Sequence, residues 1–92
     1  LFLQFENEIV VEGHTDNVPM RSATYPTNWE LSAGRALAVV RYLSEVKAVP
    51  ENRLAAIGYG EYRPIIGNDS PANRALNRRV NLLIIIEEGE SL

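Results

Sequence analysis

The pattern of apolar and polar positions along the chain predicts three strands. A continuous β-branched run over residues 9–11 is typical of a buried strand that ends near Glu12. Residues 54–59 and 80–86 predict a second and a third strand, and the third is expected at the centre of the sheet because it is largely apolar. The apolar residues within 1–5 predict the end of a helix or strand that begins before the sequence.

Two helices are predicted between these strands. The first is expected over residues 28–47, because Thr27 and Glu30 have capping-box spacing at its start and Pro50 follows its end. Ser70 followed by Pro71 predicts the start of a second, short helix. Helical spacing places six residues of the first helix on one face, which is expected to contact the core: Trp29, Ala33, Ala36, Leu37, Val40 and Leu43. Strands alternating with helices indicate an α/β sandwich of two layers.

Composition narrows the class of protein. With 92 residues, 46% of them apolar and 23% charged, the chain suits one small globular domain. The net charge of -3 disfavours nucleic acid as a partner. Cysteine is absent, so neither a disulfide nor a thiolate metal site is possible. No apolar run in the sequence approaches the length of a membrane span.

The segment VEGHTDNVP places polar residues at the end of the first strand, where α/β sheets usually bind ligands. A metal site would use His14 and Asp16, but the sequence holds no second histidine and no cysteine. A hydrolase would pair His14 with Ser22 or Ser32, but no nucleophile-elbow pattern is present. The structural alternative is that His14 and Thr15 satisfy backbone groups while Asp16 caps the turn.

The first helix carries a second, mixed face. Amide, hydroxyl, guanidinium and apolar groups lie together there, which suits a ligand or a partner surface: Asn28, Leu31, Ser32, Arg35, Val39 and Tyr42. Alternatively, its apolar members pack under a loop and Arg35 pairs with a carboxylate. Gly34 costs about 1 kcal/mol relative to alanine in a helix, so it either permits a close approach or is tolerated.

A third polar cluster surrounds the second predicted helix. Its arginines favour carboxylate or phosphate ligands, because the guanidinium fork matches both, although ion pairs with the acidic residues would also explain them. The members of the cluster are Asn73, Arg74, Asn77, Arg78 and Arg79.

Four motifs in order resemble the OmpA-like peptidoglycan-binding domain: GHTD, NWELSAGRALAVVRYL, RLAAIGYGEYRP and NRALNRRVNLLI. The match runs from about Ile9 to Ile86. The long loop between TD and LS is most similar to that of MotB-type flagellar stator proteins. The resemblance implies an α+β fold with helices packed on one face of a mixed sheet, and one such domain over residues 1–92 as a fragment of a longer chain. The family's first strand and most of its first helix have little counterpart before Ile9, and loss of the strand would leave a sheet edge unpaired.

The resemblance also implies a function and a site. In the family, the aspartate of TD and the arginine of LSxxRA hold the diaminopimelate of the peptide stem, and these motif positions are Asp16 and Arg35 here. The other motif positions expected to shape the pocket are Thr15, Asn28, Leu31, Ser32, Asn77 and Arg78. The loop over residues 17–27 is expected to form one rim without an essential contact. Neither catalysis nor a cofactor or metal is implied.

By this resemblance the domain anchors a flagellar stator to the cell wall without catalysis. It is expected to lie in the periplasm as part of an inner-membrane protein, to form a homodimer, and to meet a MotA-like channel subunit through an N-terminal part. The alternatives are a Pal-like outer-membrane lipoprotein anchor, a wall-modifying enzyme, and a protein-interaction module without affinity for the wall.

Overall fold

A computed structural model describes residues 7–86 of the chain as a two-layer α+β fold. The elements in order are β1 (Ile9–His14), α1 (Asn28–Glu45), a 3-10 turn (Glu51–Arg53), β2 (Leu54–Gly58), α2 (Pro71–Asn77) and β3 (Arg79–Ile84). The predicted fold class is therefore confirmed, and each predicted element is present within a few residues of its expected bounds. The element predicted within residues 1–5 lies outside the described residues.

β1 is the middle strand of the described sheet. It pairs with β2 in parallel and with β3 antiparallel, so that Ile9 lies opposite Leu54 on one side and Ile84 on the other. Within residues 7–86 the prediction that the third strand is central was wrong, because β3 lies at an edge of the described sheet. Leu82 and Leu83 remain 41% and 42% exposed. Successive side chains of β3 point to opposite faces of the sheet. An apolar run therefore indicates that both faces carry apolar side chains, but it does not indicate whether the strand is central or at an edge.

The helix starts are those that the sequence predicts. The Thr27 side chain accepts a hydrogen bond from the backbone N–H of Trp29, and the Glu30 carboxylate accepts one from the backbone N–H of Thr27 at 2.7 Å. The Ser70 hydroxyl accepts from the backbone N–H of Asn73 at 3.1 Å, with Pro71 in the first turn. Both caps satisfy amides that have no partner within the helix.

The buried face of α1 differs from the predicted one. Ala36 and Leu43 are buried as expected, and they form the core with Ile9, Val11 and Val49. Val40 packs against this core, but the other three predicted members are exposed: Trp29, Ala33 and Leu37. Leu31 and Ser32, which the sequence places on the mixed face, are buried instead. The helix is therefore rotated towards Ser32.

Two glycines in the sheet explain this rotation. A Cβ on Gly13 would overlap the backbone carbonyl of Ser32, and a Cβ on Gly58 would lie 2.5 Å from the backbone nitrogen of Ala33. The backbones of β1 and β2 therefore contact the backbone of α1 directly. The Ser32 hydroxyl completes this contact by accepting from the Gly60 N–H at 2.9 Å and donating to the Trp29 carbonyl at 3.0 Å.

We expect Gly13→Ala to destabilise the domain. The added methyl group meets backbone and not a movable side chain, so the helix must shift, and overpacking of this kind costs about 1–3 kcal/mol or more. Chemical denaturation would measure the loss. The control is Gly67→Ala, whose Cβ would meet only the carboxylate end of Asp69. Equal stability of the two variants would show that the close contact between β1 and α1 does not constrain the fold.

Candidate ligand-binding site

A pocket of about 290 Å³ opens where β1 ends and α1 begins. Six of the eight residues predicted to bind a ligand line it: Thr15, Asp16, Asn28, Leu31, Arg35 and Arg78. Three residues of the loop that follows Asp16 complete the lining: Val18, Pro19 and Met20. The sequence predicts this loop as a rim but does not single out these side chains, whose only signal is their position directly after the TD motif.

Asp16 supplies a nearly buried carboxylate, with only 7% of the residue exposed. Its Oδ1 accepts a hydrogen bond from the backbone N–H of Val18 at 3.0 Å, so it closes the turn as the structural alternative expects. Its Oδ2 accepts from Arg78 Nη1 at 2.7 Å. Each carboxylate oxygen has a second lone pair, so the group is fixed in place and can still accept from a ligand.

Arg35 supplies a guanidinium with all its donors available. The residue is exposed, and within residues 7–86 it makes no hydrogen bond or ion pair. The alternative that Arg35 pairs with a carboxylate of the protein is therefore wrong for the described part of the chain. The pocket thus combines a fixed anion at Asp16 with an unpaired cation at Arg35.

Asn28 holds the loop against the pocket. Its side-chain amide donates to the Val18 carbonyl at 3.1 Å and to the Glu61 carboxylate at 3.2 Å, with a longer contact of 3.4 Å to the Asp16 carbonyl. Thr15 donates its hydroxyl proton to the same Asp16 carbonyl at 2.8 Å. These bonds fix the backbone that carries the Asp16 carboxylate.

Two predicted site residues lie outside the pocket lining. Ser32 is fully buried and bonded within the protein, as described above. Asn77 is also fully buried: its amide donates to the Ile66 carbonyl and to Asn68 Oδ1 at 2.9 Å each, while its Oδ1 accepts from the Ile65 N–H at 2.9 Å. Both side chains support neighbouring backbone, and their hydrogen bonds cross between segments that the sequence alone does not place together.

Gly34 permits the close approach that one reading of the sequence expects. A Cβ at this position would lie 2.9 Å from Cε1 of the Tyr25 ring. The ring therefore rests on α1 at Gly34, the residue before Arg35. A hydrogen bond within the loop also fixes Tyr25, because Ser22 Oγ accepts from the Tyr25 N–H at 2.8 Å. This packing anchors the far end of the rim to the helix.

His14 lies behind the site and is almost fully buried. Its ring stacks on Tyr59 with centroids 5.2 Å apart, and its Nε2 lies 3.5 Å from a Glu12 carboxylate oxygen. Its Nδ1 is buried without a hydrogen-bond partner in the described structure, so the expectation that His14 satisfies backbone groups was wrong. Burial, together with the positive charge of Arg79, lowers the pKa of His14 below its ordinary value of 6.5.

We expect this histidine to make stability depend on pH. Because the folded protein favours the neutral ring, the unfolded chain binds the proton more readily. The contribution is fully present above pH 6.5 and is lost as the pH falls towards the lower pKa of the folded state. Thermal melts at pH 7.5 and 5.5 would measure it, with His14→Phe keeping the stacked ring. If the variant loses as much stability on acidification as wild type, His14 is not the source.

The described part of the chain holds no cluster of metal-binding side chains. No group of three or more histidine, aspartate or glutamate residues within residues 7–86 could hold an ion. In the same range no helix has the length and apolar character needed to cross a membrane.

Comparison with known proteins decides the family. The family model described as "OmpA family" matches residues 2–78 of this chain. This chain belongs to the OmpA family.

Individual relatives of this OmpA-family chain agree with that match. Motility protein B of Bacillus subtilis is 39% identical over 77 residues, which are 84% of this chain and 30% of that protein. The chain spans about a third of the length of the first relatives it matches, at 32% and 30%.

Solved structures show the same fold. The C-terminal domain of Helicobacter pylori MotB superposes with a TM-score of 0.83 at 33% identity, covering 91% of this chain and 63% of that one. The cell wall anchor of the T6SS from Pseudomonas aeruginosa superposes with a TM-score of 0.84 at 34% identity, covering 94% and 59%. Both likenesses include the helices and the mixed sheet that position the pocket.

Proposed function

We propose that this OmpA-family domain binds peptidoglycan without catalysis and anchors a larger assembly to the cell wall. The observation that carries the proposal is the pairing, in one pocket, of the fixed Asp16 carboxylate with the unpaired Arg35 guanidinium. Opposite charges held apart by the fold are complementary to a zwitterion. The similarity to a cell wall anchor and to MotB supports the same function.

The ligand that we propose is the distal end of diaminopimelate in the peptide stem, which carries an amine and a carboxylate. Asp16 accepts hydrogen bonds from the ammonium, and Arg35 donates two parallel hydrogen bonds to the carboxylate. Arg78 orients the Asp16 carboxylate through its 2.7 Å hydrogen bond, while Thr15, Asn28 and Leu31 shape the wall. Ser32 and Asn77 act indirectly, by holding the backbone around the pocket.

For the whole protein we propose the role of a MotB-type stator subunit. Its 39% identity to Motility protein B and its superposition on the C-terminal domain of MotB support this assignment. In that role the domain lies in the periplasm and forms a homodimer, and a part of the protein that precedes it spans the inner membrane and contacts a MotA-like channel subunit. The domain contributes anchoring and takes no part in ion conduction.

Incubation with purified sacculi tests the proposed function. We expect the domain to co-sediment with sacculi and to release no soluble wall fragments, whereas an enzyme would release them. Free diaminopimelate should compete for binding, and lysine should compete poorly because it lacks the distal carboxylate assigned to Arg35. Absence of co-sedimentation would favour a protein-interaction module. Equal competition by the two amino acids would show that the carboxylate is not recognised.

A further inference from the structure

Two aromatic side chains stack on the surface beside the pocket. The rings of Trp29 and Tyr62 lie with centroids 4.9 Å apart and planes 25° from parallel. They remain 48% and 61% exposed, so neither is part of the core. A stacked pair of this kind presents a large, rigid apolar surface. Because the two side chains already hold each other in place, little of their conformational freedom is lost when a ligand binds.

The aromatic pair is connected to the pocket by a hydrogen bond. Asn28, which lines the pocket, precedes Trp29 in the first turn of α1, and Glu61 precedes Tyr62 in the segment after β2. The Asn28 amide donates to the Glu61 carboxylate at 3.2 Å. The start of α1 and the segment after β2 are therefore joined by two adjacent contacts, a hydrogen bond and an aromatic stack. The backbone of Trp29 therefore lies about 3.8 Å, one Cα spacing, from that of a residue that lines the pocket.

We propose that the Trp29–Tyr62 pair is a second subsite that binds a sugar ring of the glycan strand. This inference rests on the proposed function, because the sugar is the one to which the stem peptide in the pocket is attached. A few residues of extended stem span on the order of 10 Å, which matches a sugar held immediately beside the pocket.

The chemistry of the surface favours a sugar. One face of a pyranose ring presents C–H groups, which pack on an aromatic ring, while its hydroxyls and N-acetyl groups need hydrogen-bond partners at the edge. The Tyr62 hydroxyl and the carboxylate of the preceding residue, Glu61, which already accepts from the Asn28 amide, supply polar groups of this kind. Exposed tryptophan and tyrosine also belong to the residue types that contribute most to binding when a ligand covers them.

The affinities of three ligands distinguish the contributions of the two subsites. The ligands are a disaccharide carrying a diaminopimelate stem, the same stem without sugar, and the disaccharide without stem. We expect wild type to bind the complete ligand about five- to tenfold more tightly than the free stem, as one stacked contact would give. Trp29 is the single tryptophan of the chain, so its fluorescence reports on this surface directly. We expect the disaccharide to change that fluorescence.

Trp29→Ala and Tyr62→Ala should each remove this preference while leaving affinity for the free stem unchanged. Tyr42→Ala, which removes a 51% exposed aromatic residue elsewhere on α1, is the matched control and should bind both ligands as wild type does. Trp29→Phe keeps a ring and should retain most of the preference, which separates loss of stacking from misfolding. Equal affinity of wild type for stem and complete ligand would overturn the sugar subsite alone. Failure of wild type to bind any of the three ligands would overturn the proposed function itself.

Discussion

We expect Arg35→Ala to abolish most binding to sacculi and to leave the thermal melt unchanged. The loss follows because the guanidinium is the proposed partner of the ligand carboxylate, and removal of one side of a desolvated charged contact costs about 2–5 kcal/mol. Stability should be unaffected because, within residues 7–86, Arg35 has no hydrogen bond or ion pair to lose. A binding isotherm on sacculi beside a thermal melt measures both quantities.

Arg41→Ala is the matched control for Arg35→Ala. Arg41 is an exposed arginine on the same helix, and its ion pair with Glu45 joins side chains that are 70% and 63% exposed. We expect this variant to bind as wild type does, because Arg41 does not line the pocket, and to fold as wild type does, because exposed pairs contribute about 0–1 kcal/mol. Wild-type co-sedimentation by Arg35→Ala, or an equal loss in Arg41→Ala, would contradict the assignment of the ligand carboxylate to Arg35.

We expect Asp16→Asn to weaken both binding to sacculi and folding stability, whereas Arg35→Ala should weaken binding alone. The proposed ammonium loses its charged partner, so we expect sacculus binding to weaken by at least about thirtyfold. The 2.7 Å ion pair with Arg78 is also lost, and the free energy of unfolding should fall by about 1–2 kcal/mol. The amide oxygen can still accept from the Val18 N–H, so the turn is retained.

Glu45→Gln provides the comparison for this stability effect, since it breaks an ion pair that is exposed on both sides. We expect it to melt close to wild type. If Asp16→Asn also melts as wild type does, the Arg78 contact contributes little to folding. If its binding is intact, the carboxylate is not the ammonium partner.

Local signals predicted the helices well because their causes are local. The Thr27–Glu30 capping box and the Ser70–Pro71 start need only neighbouring residues to form, and both are present as predicted. The buried face of α1 was mispredicted because its cause is distant. Helical spacing favoured the larger apolar side chains, whereas the contact is decided by Gly13 and by the absence of any side chain there.

The site was predictable only in part for the same reason. The resemblance to the family brought Asp16 and Arg35 together, and the structure places both in one pocket. The spacing of polar residues did not indicate that Arg78 would pair with Asp16, which lies 62 positions earlier in the chain. Nor did it indicate that Asn77, one residue away from Arg78, would turn inward and bond to the loop at Ile66.

The central position of β1 also determines when this domain can fold. The first strand of the described chain pairs with the last, and Ile9 lies opposite Ile84. During synthesis, a chain that stops short of β3 leaves β1 with β2 as its single described neighbour. Pairings so distant along the chain close slowly, because the loop entropy is lost before the contacts form. The described sheet can therefore be completed only after residue 84 is available.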